Sequence, residues 1–364
     1  MSVLPEPKLR ILDNQTGLTT FQYDKMAPGK VFHDVVVVKA SFNLLPGGLC
    51  PIPQPAVLFL ADKYRQPDDP MSSSLLQAGD LVLGKPGTDI LVTGSVYADC
   101  PTQHFQTGLR ISNRHNTLVD YTCIATGKRC WQHTERLGWH MSEPALTEHV
   151  PIAYELAYGG CNVIPDTPPE EWEIYAPNPS GNGFSFAGYS TDDQFPAPQW
   201  EPKEHQIGTK PPLTGFGPVA RHWLSRQKYA GTYDEKWRDQ LKDNPPYLDY
   251  PDDFDLRFFQ CAHPSLQSST PLNGNEKLEF FHLIKGIPHL GTWLPALGIA
   301  AYWQEGITAR QSMLPLDTVH IATDENTGQG RIDLVWRWSK PHHLNIHELL
   351  LRTVQLPEPE QHSA

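Results

Sequence analysis

Apolar and polar residues alternate with a period of two in many short stretches of this chain, which is the pattern of a strand with one buried face. The clearest case is residues 331–339, where Ile332, Leu334, Trp336 and Trp338 alternate with polar residues. The turn-rich residues 324–330 predict that this strand forms a hairpin with 318–323. Residues 29–45 predict another half-buried strand. Further strands are predicted at 89–98, 105–112, 117–125, 150–158, 256–261, 277–284 and 299–303.

Helical patterns are few. Residues 234–241 predict a short helix, with Thr232 or Asp234 near its start. A second helix is predicted at 344–354, and Pro357 should end it because the residue before a proline is disfavoured in the α region. Residues 358–364 are then a frayed tail.

Proline defines the fold class more than any other residue. The chain has 35 prolines, spread from Pro5 to Pro359, and each removes an amide donor and restricts φ. We therefore expect a mainly β protein, an antiparallel sandwich or barrel-like sheets with long ordered loops and a few short helices. Residues 1–340 should form one composite β domain, with a division into two lobes left open, and 341–364 the C-terminal helix and tail.

Residues 151–184 contain two glycine-rich blocks that indicate architecture. Such glycines are needed where the chain takes positive φ or where another backbone comes close. We expect the prominent residues of both blocks to be structural: Tyr154, Glu155, Gly159 and Gly160 in the first, and Asn178, Pro179, Gly181 and Gly183 in the second.

The segment 165–218 has eleven prolines, many aromatic residues and little periodicity. Long irregular segments in compact domains are usually functional or disordered, and disordered tracts are poor in aromatic residues. We therefore expect an ordered surface excursion that binds a partner. Interface energy concentrates in Trp, Tyr and Arg, so the candidate anchors are Trp172, Tyr175, Phe184 and Trp200.

Charge and hydropathy restrict the partner classes. The formal charge of −12 disfavours nucleic acid, because binding to phosphates depends on Lys and Arg. No apolar run approaches the ~18 residues of a membrane-spanning helix, and residues 1–13 lack a signal-peptide pattern. These features predict a cytoplasmic protein with neither a nucleic-acid nor a membrane partner.

Motifs for catalysis, metals or cofactors are incomplete. Gly84-Lys85 begins like a phosphate-binding loop, but Pro86 replaces the required hydroxyl residue. His343 and His347 lack the glutamate of a metalloprotease motif, and the carboxylates at 249–255 lack the pattern of an EF-hand. Cys123 and Cys130 have no second pair at zinc-finger spacing. We expect no cofactor, no metal and no enzymatic activity.

Seven blocks, taken in order, resemble the family known as domain of unknown function 2169 (DUF2169), over about residues 10–340. They include Gly84-Lys85-Pro86, the two glycine-rich blocks, and Gly215-Phe216-Gly217-Pro218. This resemblance implies an adaptor or chaperone of bacterial type VI secretion, which binds a toxic effector and helps to load it onto the spike protein VgrG. Direct contact with VgrG is left open.

Two other functions remain as alternatives. One is a hydrolase that uses a carboxylate and histidine pocket near Glu155, Asp253 and His222, since active sites assemble in space. The other is a carbohydrate-binding β module, in which Trp131, Trp139 or Trp172 would stack on sugars.

Overall fold

A computed structural model of the protein describes residues 8–162, 167–168, 171–186, 188–205, 209–243, 250–324, 327 and 329–357, except for the side chains of 240–243. The described chain is mainly β and contains three larger sheets. Its larger apolar cluster draws buried residues from all three sheets, from Leu9 to Leu351. Among the described residues, no helix has the length and apolar composition needed to cross a membrane.

The main sheet has six strands, and its two longest strands contain runs of consecutive buried residues at 34–40 and 332–338. Its strands follow the order Thr19–Ala27, Val31–Leu45, Gly330–Pro341, Leu316–Thr323 and Asp89–Thr93, and Gly48–Pro51 pairs with Val31–Leu45. The pairing of Leu316–Thr323 with Gly330–Pro341 confirms the predicted hairpin. The strand predicted at 29–45 is also confirmed, but residues 34–40 are all buried, so it is covered on both faces and not half-buried.

Buried charges on this sheet are paired. Lys39 lies 2.9 Å from Asp80, Lys85 lies 2.7 Å from Asp89, and Arg337 contacts Asp317. A buried charge requires such a partner because removal from water costs several kcal/mol. The Gly84-Lys85-Pro86 block therefore contributes a lysine to a structural ion pair.

The second sheet is antiparallel throughout and contributes buried residues to the larger apolar cluster. Its five strands follow the order Trp200–Pro202, Thr117–Thr126, His104–Ser112, Lys277–Ile284 and Ile287–Trp293. The predicted strands at 105–112, 117–125 and 277–284 are confirmed.

The third sheet corrects the predicted C-terminal helix. Residues 344–354 do not form a helix: Glu348–Gln355 is a strand, parallel to Ile11–Asn14 and antiparallel to Leu297–Glu305, which pairs in turn with Thr308–Met313. Its apolar residues Leu349 and Leu351 alternate into the core, and pairing on both edges overrides a helix-like local pattern. The predicted tail at 358–364 lies outside the described residues.

The remaining elements are short. A small three-stranded sheet has the order Gly138–Met141, Cys130–Thr134 and Phe195–Pro196. Paired strands are Ser95–Thr102 with Thr147–Pro151, Tyr158–Gly159 with Asn182–Gly183, Cys161–Asn162 with Glu173–Ile174, and Lys63–Tyr64 with Leu75–Gln77. Described helices are Leu224–Gln227 and Glu235–Asp243, and 3-10 turns are Pro28–Lys30, Tyr154–Leu156, Leu256–Phe259, Pro264–Leu266 and His342–Leu344.

The helix predicted at 234–241 is confirmed by Glu235–Asp243. Three predicted strands differ from the observed elements. Residues 89–98 form two strands, which are divided at Gly94. The strand predicted at 150–158 is not continuous, because the 3-10 turn Tyr154–Leu156 separates Thr147–Pro151 from Tyr158–Gly159. The strand predicted at 256–261 is wrong, because Leu256–Phe259 is a 3-10 turn. There the carboxylate of Asp255 accepts the backbone N–H of Arg257 and caps the turn. Asp249 of the same acidic run lies outside the described residues.

A buried histidine links stability to pH. His263 lies beneath Tyr121, its Nε2 donates to the carbonyl of Leu213 at 3.0 Å, and its Nδ1 accepts the N–H of Ser265. Burial lowers the pKa of His263 from 6.5 to about 4. The unfolded chain therefore binds a proton in the pH range where the folded chain does not.

Stability should consequently fall as pH drops from 6.5 to 4, by about 3 kcal/mol for this group. His263→Gln keeps a donor and an acceptor but does not titrate, so its free energy of unfolding should change less over that range. Urea denaturation at several pH values measures the difference. Parallel pH profiles for wild type and variant would contradict the assignment.

Candidate partner-binding surface

The buried amide of Asn178 fixes the base of the irregular segment. Asn178 has no exposed surface, and its Nδ2 donates to the carbonyls of Tyr154 at 2.9 Å and Tyr158 at 3.1 Å. Asn182 adds a hydrogen bond from its Nδ2 to the carbonyl of Glu155 at 3.0 Å. The second glycine-rich block thus closes onto the first through side-chain amides.

The glycines of both blocks allow this close approach. A Cβ on Gly159 would lie 2.1 Å from the carbonyl oxygen of Asn178, and one on Gly181 would lie 2.5 Å from its Nδ2. Gly160 takes φ of +117° and donates its N–H to the carbonyl of Asn178 at 2.9 Å. Pro179, the residue after Asn178, is half-buried. The geometry of these residues is that of a scaffold.

Tyr154 and Glu155 are also held by the fold. The hydroxyl of Tyr154 donates to the carbonyl of Gly217 at 2.9 Å, its ring packs edge-on to Trp223, and burial raises its pKa. The carboxylate of Glu155 accepts the N–H of Ser74 at 2.9 Å and its hydroxyl at 2.7 Å. Tyr154 thus joins the first glycine-rich block to the irregular segment at Gly217, and Glu155 joins the same block to Ser74.

The hydrolase candidates bind separate partners. His222 contacts the carbonyl of Met71 at 3.1 Å, and burial lowers its pKa. Asp253 lies on the surface, where the N–H and hydroxyl of Thr232 donate to its carboxylate and lower its pKa. Among the contacts of the described residues, no hydrogen bond or ion pair joins any two of Glu155, His222 and Asp253.

An apolar groove lies between the small sheet and the irregular segment. We call it the aromatic groove; its volume is about 610 Å³. Its apolar walls are Trp131, Met141, Tyr158, Pro198, Trp200, Pro202 and Pro211. Arg129 lines it too, donates to the carbonyl of Pro198 at 2.7 Å and pairs with Glu201 at 2.5 Å.

Two of the four predicted anchors, Tyr175 and Phe184, contact residues that line this groove. The hydroxyl of Tyr175 donates to the carbonyl of Pro211 at 2.6 Å. Phe184 packs against Tyr175, with the Nζ of Lys210 lying 4.5 Å from the centre of its ring. Both rings are half-buried, so they position the groove and present little free surface.

The other two anchors differ from the expectation. Trp200 is only 1% exposed: it packs edge-on to Phe216 and donates its indole N–H to the carbonyl of Pro151 at 3.2 Å. Trp200 lines the groove but presents almost no surface to a partner, because its strand pairs with the second sheet and turns the ring inward. Trp172 is half-buried, and its indole nitrogen has no hydrogen-bond partner among the described residues.

Sequence reasoning missed the ring cluster that borders the groove. Phe186 packs edge-on to Trp131 at 5.0 Å and stacks on Trp139 at 5.4 Å, and Tyr189 stacks on Phe195 at 3.7 Å. Tyr189 is 47% exposed and Met141 38% exposed. The sequence signal for this cluster was a tryptophan on each side of the short turn at 135–137, Trp131 and Trp139. These two residues entered the predictions only through the carbohydrate-binding alternative.

Gly183 connects the glycine-rich blocks to the groove. It takes φ of +85°, and a Cβ there would lie 2.9 Å from Nε1 of Trp131. The glycine therefore leaves the space that the indole ring occupies in the groove wall.

Comparison with known protein families gives a match over most of the chain. The model of the family described as "Uncharacterized protein conserved in bacteria (DUF2169)" matches residues 30–337. No curated protein and no solved structure matches the chain.

Gly183→Ala should displace Trp131, and Gly188→Ala is its matched control, because Gly188 also has φ of +85° but nothing within 4 Å of a Cβ. Both variants carry the cost of positive φ. Gly183→Ala should lose roughly 1–3 kcal/mol more in free energy of unfolding, through overpacking against the indole. Chemical denaturation measures this difference, and equal losses would show that Gly183 does not shape the groove.

Proposed function

The chain belongs to the DUF2169 family of bacterial proteins, and from this premise we propose that it is a non-enzymatic adaptor of type VI secretion. In this role it binds a toxin effector in the bacterial cytoplasm and helps to load it onto the VgrG spike. The partner class comes from the family resemblance of the sequence blocks. The aromatic groove is the observation that carries the binding role.

The walls of the groove suit a protein partner. Aromatic and arginine side chains dominate interface energies, and the groove contains Trp131, Tyr158 and Arg129. Pro198, Pro202 and Pro211 restrict the backbone around it, so little conformational entropy is lost on binding. A volume of about 610 Å³ accepts a few side chains of a segment and is too small for a folded domain.

The neighbouring sheet edge suits an extended segment. Gly138–Met141 is an edge strand of the small sheet, and Met141 at its end lines the groove. An added strand can pair with such an edge through its main chain while its side chains enter adjacent pockets. We therefore propose that the effector contributes an extended segment with an apolar side chain.

Substitution of Met141 tests this surface. Met141→Glu places a charge in the apolar groove and should weaken effector binding by about tenfold or more, the loss expected at an interface hot spot. Met313→Glu is the control, because Met313 is similarly exposed, at 47%, on the edge strand Thr308–Met313 of another sheet. Titration with the effector co-purified from the native host measures both affinities.

Circular dichroism should show that both variants are folded. Wild-type affinity in Met141→Glu would contradict binding at the groove. Deletion of residues 168–200 is a poorer test, because it removes Asn178 and Trp200 from the core.

Deletion of the gene in the native host tests the pathway separately. The effector should no longer appear in the culture medium, because it does not reach the spike, and the wild-type gene should restore it. Quantitative immunoblotting of cells and medium measures the distribution. Unchanged secretion in the deletion strain would contradict the adaptor role, whatever binds the groove.

A further inference from the structure

Two aspartates face each other across the first hairpin of the main sheet. Asp24 and Asp34 are direct cross-strand partners between Thr19–Ala27 and Val31–Leu45. The side chain of Asp34 is only 2% exposed and that of Asp24 is 26% exposed. Like charges in this position repel each other, so a pair that is largely withdrawn from water calls for a cation.

His342 completes a three-residue cluster. It begins the 3-10 turn that follows Gly330–Pro341 and is 8% exposed. Its Nε2 lies 3.5 Å from Oδ1 of Asp24 and 3.6 Å from Oδ2 of Asp34. These separations are longer than normal hydrogen bonds. Within the described part of the chain, both ring nitrogens of His342 and Oδ1 of Asp24 are buried without a hydrogen-bond partner.

The separations match the edges of a metal coordination polyhedron. Zn²⁺ binds histidine nitrogen and carboxylate oxygen at about 2.0–2.2 Å, which places two tetrahedral ligand atoms about 3.4 Å apart. The two distances from Nε2 are close to that value, and all three candidate ligand atoms lie within 4.8 Å of one another. Small side-chain movements would bring one ion into contact with all three.

The surroundings also fit a metal ligand set. The backbone N–H of Leu9 donates to Oδ1 of Asp34 at 3.0 Å, which orients the carboxylate and leaves Oδ2 facing His342. The ring of Phe32 packs against the imidazole with 6.0 Å between centres. Partial exposure of Asp24 gives an ion and a water ligand a route from solvent.

We propose that Asp24, Asp34 and His342 bind one divalent transition-metal ion, with Zn²⁺ the best fit to one imidazole and two carboxylates. The ion fastens the turn after Gly330–Pro341 to the first hairpin and so anchors the chain that leads into Glu348–Gln355. Asp24 and His342 lie outside residues 30–337 that match the family. None of the three residues lines the aromatic groove, so the metal site and the groove are built from different residues.

Zinc titration of untagged, chelator-treated protein tests the site. Calorimetry with elemental analysis should give one Zn²⁺ per chain. His342→Gln and Asp24→Asn should each lower the affinity by at least about 100-fold, because each removes a direct ligand. His343→Gln is the matched control, since His343 is the exposed neighbour of His342, and it should bind zinc like the wild type.

Nitrogen NMR of the histidine rings gives a readout that does not depend on the variants. Addition of one equivalent of Zn²⁺ to wild-type protein should shift the Nε2 resonance of His342 and leave that of His343 in place. Absence of tight binding, equal affinity in His342→Gln and His343→Gln, or an unchanged His342 resonance would overturn the proposal.

Discussion

The side-chain amide of Asn178 is the contact on which the partner-binding surface depends. Its Nδ2 donates to two main-chain carbonyls, that of Tyr154 at the start of the turn Tyr154–Leu156 and that of Tyr158 after it. Loss of this amide would remove two hydrogen bonds from the base of the irregular segment, each worth about 0.5–1.5 kcal/mol. Because this contact closes the base of the irregular segment, Gly183 lies against Trp131 and Tyr175 supports Pro211. The groove is thus a consequence of how its base is hydrogen-bonded.

The groove also rests on the second sheet. Trp200 lies on a short strand that pairs with Thr117–Thr126 and packs against Phe216, which in turn packs edge-on to Tyr121. This chain of buried rings gives the irregular segment a rigid support although it contains little regular structure. A preformed surface of this kind loses less entropy on binding than a mobile loop.

The sequence predicts those parts of the structure that depend on local pattern. Alternation at 331–339 and 105–112 identifies both strands, although at 331–339 the polar positions Asp333 and Arg337 are buried as well as the apolar ones. The same reasoning fails at Glu348–Gln355, where strands from both ends of the chain provide the pairing. At Trp200 an aromatic residue in an irregular segment suggests exposure, but cross-strand pairing determines its burial. Trp131 and Pro211 meet in the groove 80 positions apart, so no local period relates them.

The most direct test of effector binding at the aromatic groove is hydrogen–deuterium exchange of the protein, alone and with the effector that co-purifies from its native host. Binding at the groove should protect backbone amides in 129–141 and 195–202, while the edge strand Thr308–Met313 should exchange at the same rate in both samples. Protection confined to Thr308–Met313, with unchanged exchange at 129–141 and 195–202, would contradict the account.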